Sequence, residues 1–219
     1  MRYPYLLFDL DGTLISSHEG IYHCMKIALK EQGMVELNAK LLRKSIGPPL
    51  HVTLTKIWGL DKQAALKAEQ DYRQAYDKFG CEKCSLIDGA DSMLKCFKNA
   101  GYSLALATSK PLKFARRILQ NFSIDGLFDV IVGSGLDGSL PDKKSVIEEC
   151  VKQLGASKGQ CLMIGDRIHD VEGAKLAGVD CAIVNVGYAE QGEFEREIPT
   201  YFWDGYEGLQ SFLLSGVRK

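Results

Sequence analysis

Short apolar runs alternate along this chain with longer stretches of helical rhythm. The runs cover residues 5–8, 102–107, 128–132, 161–164 and 181–184. Continuous apolar segments of that length, bounded by Gly or Asp, predict strands buried on both faces. Between them the spacing predicts helices over about residues 112–122, 144–154 and 170–177, with Gly155 and Gly178 suited to helix C-termini. Residues 201–203 read as a last short strand and 206–214 as a closing helix. Strand and helix in alternation predict an α/β fold, a doubly wound parallel sheet of Rossmann-like type.

The stretch from 17 to 85 breaks this pattern. It holds no clear buried strand, while Ile21, Met25, Ala28 and Leu29 share one helical face. A second helical rhythm runs from Leu66 to Phe79 through Tyr72, Ala75 and Tyr76. The chain therefore divides into an α/β core over residues 1–16 and 86–219 and an inserted all-helical domain over 17–85, with residues 80–91 leading back to the sheet.

Composition narrows the function classes. Apolar residues make up 46% and charged residues 25% of 219 positions, ordinary values for a globular protein with a proper core. The 27 basic and 28 acidic residues nearly cancel. Such a balance provides no long-range field for a nucleic acid polymer or an anionic membrane. The apolar runs are too short to span a bilayer, and Met1-Arg2-Tyr3-Pro4 has no signal-peptide pattern. Seven scattered cysteines then suggest reduced thiols in a cytoplasm. Cys81 and Cys84 form a lone C-x-x-C with no second ligand pair, read as incidental.

The chemistry gathers at predicted strand ends, where open parallel sheets bind ligands. Asp9-Leu10-Asp11-Gly12-Thr13 follows the first run. On a strand, positions i and i+2 point the same way, which would send Asp9 and Asp11 into one crevice. Two carboxylates that close need a cation or a proton between them. The Asp-Gly pair alone means little, since others occur at Asp88, Asp125, Asp137 and Asp204; the whole block after a buried strand means more. Thr108-Ser109-Lys110-Pro111 follows the second run, and Gly165-Asp166-Arg167-Ile168-His169-Asp170 the fourth. Lys143 and Lys144 open the helix after the third; a helix N-terminus disfavours cations, so a lysine there needs an anion. Hard oxygen ligands suit Mg²⁺, and a cation with hydroxyl and N–H donors suits phosphate. Each piece also has a plain structural explanation. Thr108 and Ser109 would cap a helix, one of the two lysines would be a solvated helix start, Asp170 would be an N-cap, and His169 would bond locally.

Taken in order, these motifs resemble the haloacid dehalogenase-like (HAD) hydrolase superfamily over nearly the whole chain. The match runs through Asp9-Leu10-Asp11-Gly12-Thr13, Thr108-Ser109, Lys143 and Gly165 to Asp170. Lys143 is chosen over Lys144 because Val146 and Ile147 follow it at the family's spacing. The helical insertion resembles that superfamily's C1-type cap. Ile46-Gly47-Pro48-Pro49-Leu50, Lys110-Pro111 and Asp137-Gly138-Ser139 are similar to its phosphoglycolate phosphatase-like and 5′-nucleotidase-like branch.

The resemblance implies a Mg²⁺-dependent phosphomonoester hydrolase of a small phosphorylated metabolite, a monomer or small homo-oligomer. It implies Asp9 as nucleophile and Asp11 as acid and base. Mg²⁺ would be held by Asp9, the Asp11 backbone carbonyl and Asp166, with Asp170 behind them and Thr13 orienting the first loop. Thr108, Ser109 and Lys143 would hold the phosphate. Specificity would come from a cap closing over the site, with Arg43, Lys44, Gly47 and Arg73 as candidates, though residues 69–73 read first as a solvated helix face; Lys110 would approach the substrate. The same residues would serve a phosphomutase. A non-catalytic binding protein with the inherited fold has no physical reason to keep repelling carboxylates together.

Overall fold

A computed structural model describes residues 1–215. Its chain forms two compact units, one of residues 1–15 and 86 onward, the other of residues 16–85.

The first unit is built on a six-stranded sheet. Its strands are β1 (Tyr5–Phe8), β4 (Ser103–Pro111), β5 (Val130–Ser134), β6 (Cys161–Gly165), β7 (Asp180–Val184) and β8 (Tyr201–Trp203). Two further short strands, β2 (Ile15–Ser16) and β3 (Ser85–Leu86), pair with each other where the chain leaves and re-enters this unit. The sheet order is β5-β4-β1-β6-β7-β8, and every pairing is parallel. The fold is α/β, as the alternating runs predict.

Helices α5 (Ala90–Asn99), α6 (Leu112–Asn121), α7 (Lys143–Gln153), α8 (Ile168–Ala177) and α9 (Tyr206–Ser215) cover the sheet. Side-chain alternation sorts the core. Leu7, Ala105, Ala107 and Met163 point to the α7–α8 face, packing on Val146, Ile147, Cys150, Val171 and Ala174. Phe8 points the other way and meets Phe97 of α5, with ring centroids 6.4 Å apart. Burying a side chain of this size contributes about 1.5–3 kcal/mol.

Two boundaries differ from expectation. β4 runs on through Thr108–Pro111, with a bulge that shifts its register against β5 between Thr108 and Pro111. α5 has no counterpart in the sequence reading, although Ala90, Met93, Leu94 and Phe97 are buried at helical spacing. Its N-cap is Gly89, with φ 86° and no side-chain acceptor, so the usual start signal is absent.

Between Ser16 of β2 and Ser85 of β3 the second unit is helical: α1 (His18–Lys30), α2 (Ala39–Lys44), α3 (Leu50–Val52), a π-helical turn (Thr53–Ile57), α4 (Lys62–Lys78) and a 3-10 turn (Gly80–Glu82). Met25, Ala28, Leu29, Leu42, Leu54, Trp58, Ala65 and Ala68 form its core. Ile21, Met25, Ala28 and Leu29 share the buried face of α1. On α4 the expected stripe holds at Ala75 and Tyr76, which are buried, but its ends, Leu66 and Phe79, are exposed, and Ala65 and Ala68 are buried instead. Small residues let α4 approach closely, and these carry little hydrophobic signal. Among the described residues there is no disulfide, and no helix is long and apolar enough to cross a membrane.

Candidate active site

β1 ends at Phe8, but its ladder continues one residue further, because the Asp9 N–H donates to Ile164 O at 2.9 Å. Asp9 keeps the parity of Leu7 and lies buried. The strand does not reach Asp11. From Leu10 the chain folds into a compact loop in which the Leu14 and Ile15 N–H groups bond back to Leu10 O. Asp11 lies past the strand, in this loop, and its charge still acts on the Asp9 carboxyl.

Asp9, Asp166 and Asp170 each offer a carboxylate oxygen within 4.8 Å of the others, all three buried. Asp166 follows β6 directly. Its Oδ1 accepts from Thr13 Oγ1 at 3.2 Å and its Oδ2 from the Tyr188 N–H at 2.7 Å. Asp170 lies in the first turn of α8, whose N-cap is Arg167. Asp170 is therefore not the N-cap; its Oδ2 reaches back to the Asp166 and Arg167 N–H groups at 3.2 and 3.1 Å. Its Oδ1 faces Lys143 Nζ at 2.8 Å.

Lys143 is the first residue of α7 and is buried. Its Nζ lies 2.7 Å from Asp9 Oδ1 and donates to Ala107 O at 3.1 Å. The anions that a lysine at a helix N-terminus requires are Asp9 and Asp170. Room for its stem comes from Gly173 of α8, where an added Cβ would lie 2.5 Å from Lys143 Cγ. Lys144 points elsewhere, 3.9 Å from Glu148 with both side chains exposed.

Thr108 is buried on β4 and its Oγ1 accepts from the Lys110 N–H at 3.2 Å. α6 has Pro111 as N-cap and no side-chain cap, so neither Thr108 nor Ser109 plays that part. Ser109 contributes its carbonyl to Ser134 Oγ at 2.9 Å. Within the bulge, Lys110 Nζ sits 3.0 Å from Asp11 Oδ2, both side chains nearly buried. Bulges re-aim side chains in this way. Asp11 Oδ1 is buried with no hydrogen-bond partner among the described residues.

Burial pushes the Asp9 carboxyl up to about 6, opposed by Lys143 and reinforced by Asp170. Asp166 is also held well above the usual carboxylate range, first by burial and then by Asp170. Burial works against the Lys143 charge, but Asp170 and Asp9 outweigh it and hold its pKa above the ordinary value. With all four carboxylates ionised, Asp9, Asp11, Asp166 and Asp170 would exceed the two ammonium groups of Lys143 and Lys110 by two negative charges. Converging hard oxygens with that residual charge fit one divalent cation of the magnesium type.

Arg43 and Lys44 are exposed at the end of α2, and Gly47 follows with φ 108°. Arg73 donates to Glu69 one turn earlier on α4, both side chains being partly buried. His169 pairs locally with Glu172 at 3.5 Å.

Sequence reasoning missed the loop after β7. Tyr188 serves Asp166 through its backbone N–H, and Gly187 packs so closely that a Cβ there would lie 2.1 Å from Gly12 O. A backbone donor leaves no side-chain signature; the Gly187-Tyr188 pair was the only local hint.

Comparison with known proteins agrees with this geometry. Residues 6–184 match the family model described as haloacid dehalogenase-like hydrolase. A 5′-nucleotidase of Pseudomonas aeruginosa is 37% identical over 98% of this chain and 97% of its own length. A phosphoglycolate phosphatase of Psychrobacter arcticus is 30% identical over 95% of both. The tyrosine-protein kinase PtkA of Mycobacterium tuberculosis is 40% identical over 89% of this chain but 66% of its own. The crystal structure of a predicted phosphatase from Clostridium acetobutylicum superposes with a TM-score of 0.93 at 33% identity, covering 98% of this chain and all of that one. The chain belongs to the haloacid dehalogenase-like hydrolases, as an enzyme of their phosphatase group.

Proposed function

We propose that this protein is a Mg²⁺-dependent phosphomonoester hydrolase acting on a small metabolite through an aspartyl-phosphate. The observation that carries this reading is the convergence of Asp9, Lys143, Asp166 and Asp170 from three separate stretches of chain. Asp9, Asp166 and the Asp11 carbonyl would hold the ion, with Asp170 behind them. When bound, Mg²⁺ offsets charge on the carboxylates and on the phosphoryl oxygens.

In the first half-reaction an Asp9 oxygen attacks phosphorus, the bond to the leaving oxygen breaks, and that oxygen takes a proton from the Asp11 carboxyl. In the second, Asp11 removes a proton from water, whose oxygen attacks the same phosphorus and frees Asp9 and inorganic phosphate. Lys143 and Thr108 hold the equatorial oxygens, where transferred charge needs donors. Asp11 Oδ1 is buried and makes no hydrogen bond among the described residues. The helical unit, with Arg43, Lys44, Gly47 and Arg73, is proposed to select the leaving group. Nucleoside monophosphates and phosphoglycolate are the leading substrates, by likeness to the two relatives named for them.

Phosphate release across nucleoside monophosphates, phosphoglycolate, sugar phosphates and pyrophosphate tests this. Release is expected with Mg²⁺, absent with EDTA, and lowered at least about 10³-fold by Asp9→Asn. No release from any compound by folded protein with Mg²⁺ would overturn the reading. Transfer between positions of one sugar phosphate without net release would assign a mutase instead.

A further inference from the structure

The chain between β7 and β8 holds no motif, yet it grips the Asp166 turn at several points. The Tyr188 N–H donates to Asp166 Oδ2, and Gly187 lies against Gly12 O and Asp166. Five residues on, Glu193 turns inward. Its Oε1 accepts from Arg167 Nε and from the Ile168 N–H, each at 2.8 Å. Its Oε2 accepts from the Glu190 N–H, also at 2.8 Å. Both members of the Glu193–Arg167 pair are 8% exposed.

Buried charges are costly unless paired and fully hydrogen-bonded, and Glu193 meets that condition with three donors. It also answers an orphan donor at the start of α8, where a carboxylate is favoured by the helix dipole. The turn carrying Asp166 is therefore held from two sides. Asp170 takes the Asp166 and Arg167 N–H groups. Glu193 takes the next N–H along, together with the Arg167 side chain. Release of Glu193 would free both the start of α8 and the loop that brings Tyr188 to Asp166.

We infer that Glu193 is a positioning residue that fixes the Asp166 carboxylate for cation binding. It acts through Arg167, Ile168 and the 187–193 loop and touches neither substrate nor ion. The inference rests on the metal-dependent reading above. Partners that orient ligands from behind typically change metal affinity by about 10–100-fold when removed.

Mn²⁺ binding, followed by its electron paramagnetic resonance signal, is the direct readout, with turnover against Mg²⁺ concentration beside it. Glu193→Ala is expected to weaken Mn²⁺ binding roughly tenfold or more, while saturating Mg²⁺ returns most of kcat. Glu193→Gln keeps an oxygen for Arg167 and Ile168 and is expected to recover most of the affinity. Should the alanine variant fail to fold, Glu193→Asp decides: its carboxylate stays near Arg167 but is one methylene short of Ile168, and weaker Mn²⁺ binding is expected. Tyr102→Phe is the control for stability alone, since it deletes a buried bond to Leu213 O at the other end of the fold. Unchanged Mn²⁺ affinity in Glu193→Ala, or in Glu193→Asp where the alanine variant does not fold, or an equal loss in Tyr102→Phe, would overturn the inference. Absence of Mn²⁺ binding in the wild type would instead overturn the metal-dependent reading, and this inference with it.

Discussion

Lys143 and Lys144 are chemically the same side chain in opposite surroundings. Lys143 Nζ sits buried between Asp9 and Asp170, at 2.7 and 2.8 Å. Lys144 reaches Glu148 only at 3.9 Å, in solvent. Exposed pairs of the second kind contribute about 0–1 kcal/mol. Removing the cation of a buried cluster strands its anions, which typically costs about 3–5 kcal/mol unless they take up protons. Lys143→Met is therefore expected to lower phosphate release by at least about 10²-fold and to lower Tm at neutral pH. Lys144→Met should leave both unchanged. Steady-state rates and thermal melts of the two variants check this; equal loss in both would sink the assignment. The sequence left the two ambiguous, and only the family resemblance, through the apolar residues that follow, favoured Lys143 over Lys144. Lys143's partners were not legible, because Asp9 lies at the far end of the chain and only the sheet brings it there. Asp11 shows the opposite case: its alternation with Asp9 was read from the sequence, but the strand stops at Phe8 and a loop carries Asp11 to Lys110.

At the scale of elements, the strands were plain because buried parallel strands are continuous apolar runs. α5 was hidden because its start lacks a capping side chain, although its buried spacing is regular. That helix has a measurable consequence at the sheet. Lys98 near its end donates to Asp129 Oδ1 and Oδ2 at 2.6 and 2.7 Å. Asp129 Oδ2 also accepts the Leu104 N–H at 2.9 Å, fastening the entry of β5 beside β4. Partial burial works against the Asp129 charge, but Lys98 and the Leu104 N–H outweigh it and hold its pKa below the usual value. A depressed carboxyl stabilises the folded state above its unfolded pKa, about 3.9, and that contribution is lost as pH falls through the folded value. Asp129→Asn is thus expected to melt below the wild type at pH 7, with the gap closing below about pH 4. Asp129 is substantially exposed, so the effect should stay under about 1 kcal/mol. A gap that widened toward acid would contradict the assignment.

Across the whole molecule, the first motif is held by residues far along the chain. The Tyr206 hydroxyl, on the closing helix α9, donates to Thr13 O at 2.6 Å, across 193 residues of sequence. Burial, and the Asp166 charge after it, raise the Tyr206 pKa, so this hydroxyl remains a donor throughout the working range. The same motif loop meets Gly187 at Gly12 and Asp166 at Thr13. Nothing near Tyr206 in the sequence signals this, since a donor to a remote carbonyl needs no motif of its own. Tyr206→Phe preserves the ring and strands a buried carbonyl, a change worth about 1–3 kcal/mol. In a chain of this size that corresponds to roughly 2–4 °C in Tm for each kcal/mol. The loss should not remain confined to stability. Thr13 Oγ1 bonds Asp166 from the residue whose carbonyl is released, so Mg²⁺ is expected to be needed at higher concentration for half-maximal phosphate release. Melting curves and a Mg²⁺ titration of one variant separate the two effects. A lowered Tm with an unchanged Mg²⁺ requirement would show that α9 supports the fold without tuning the site.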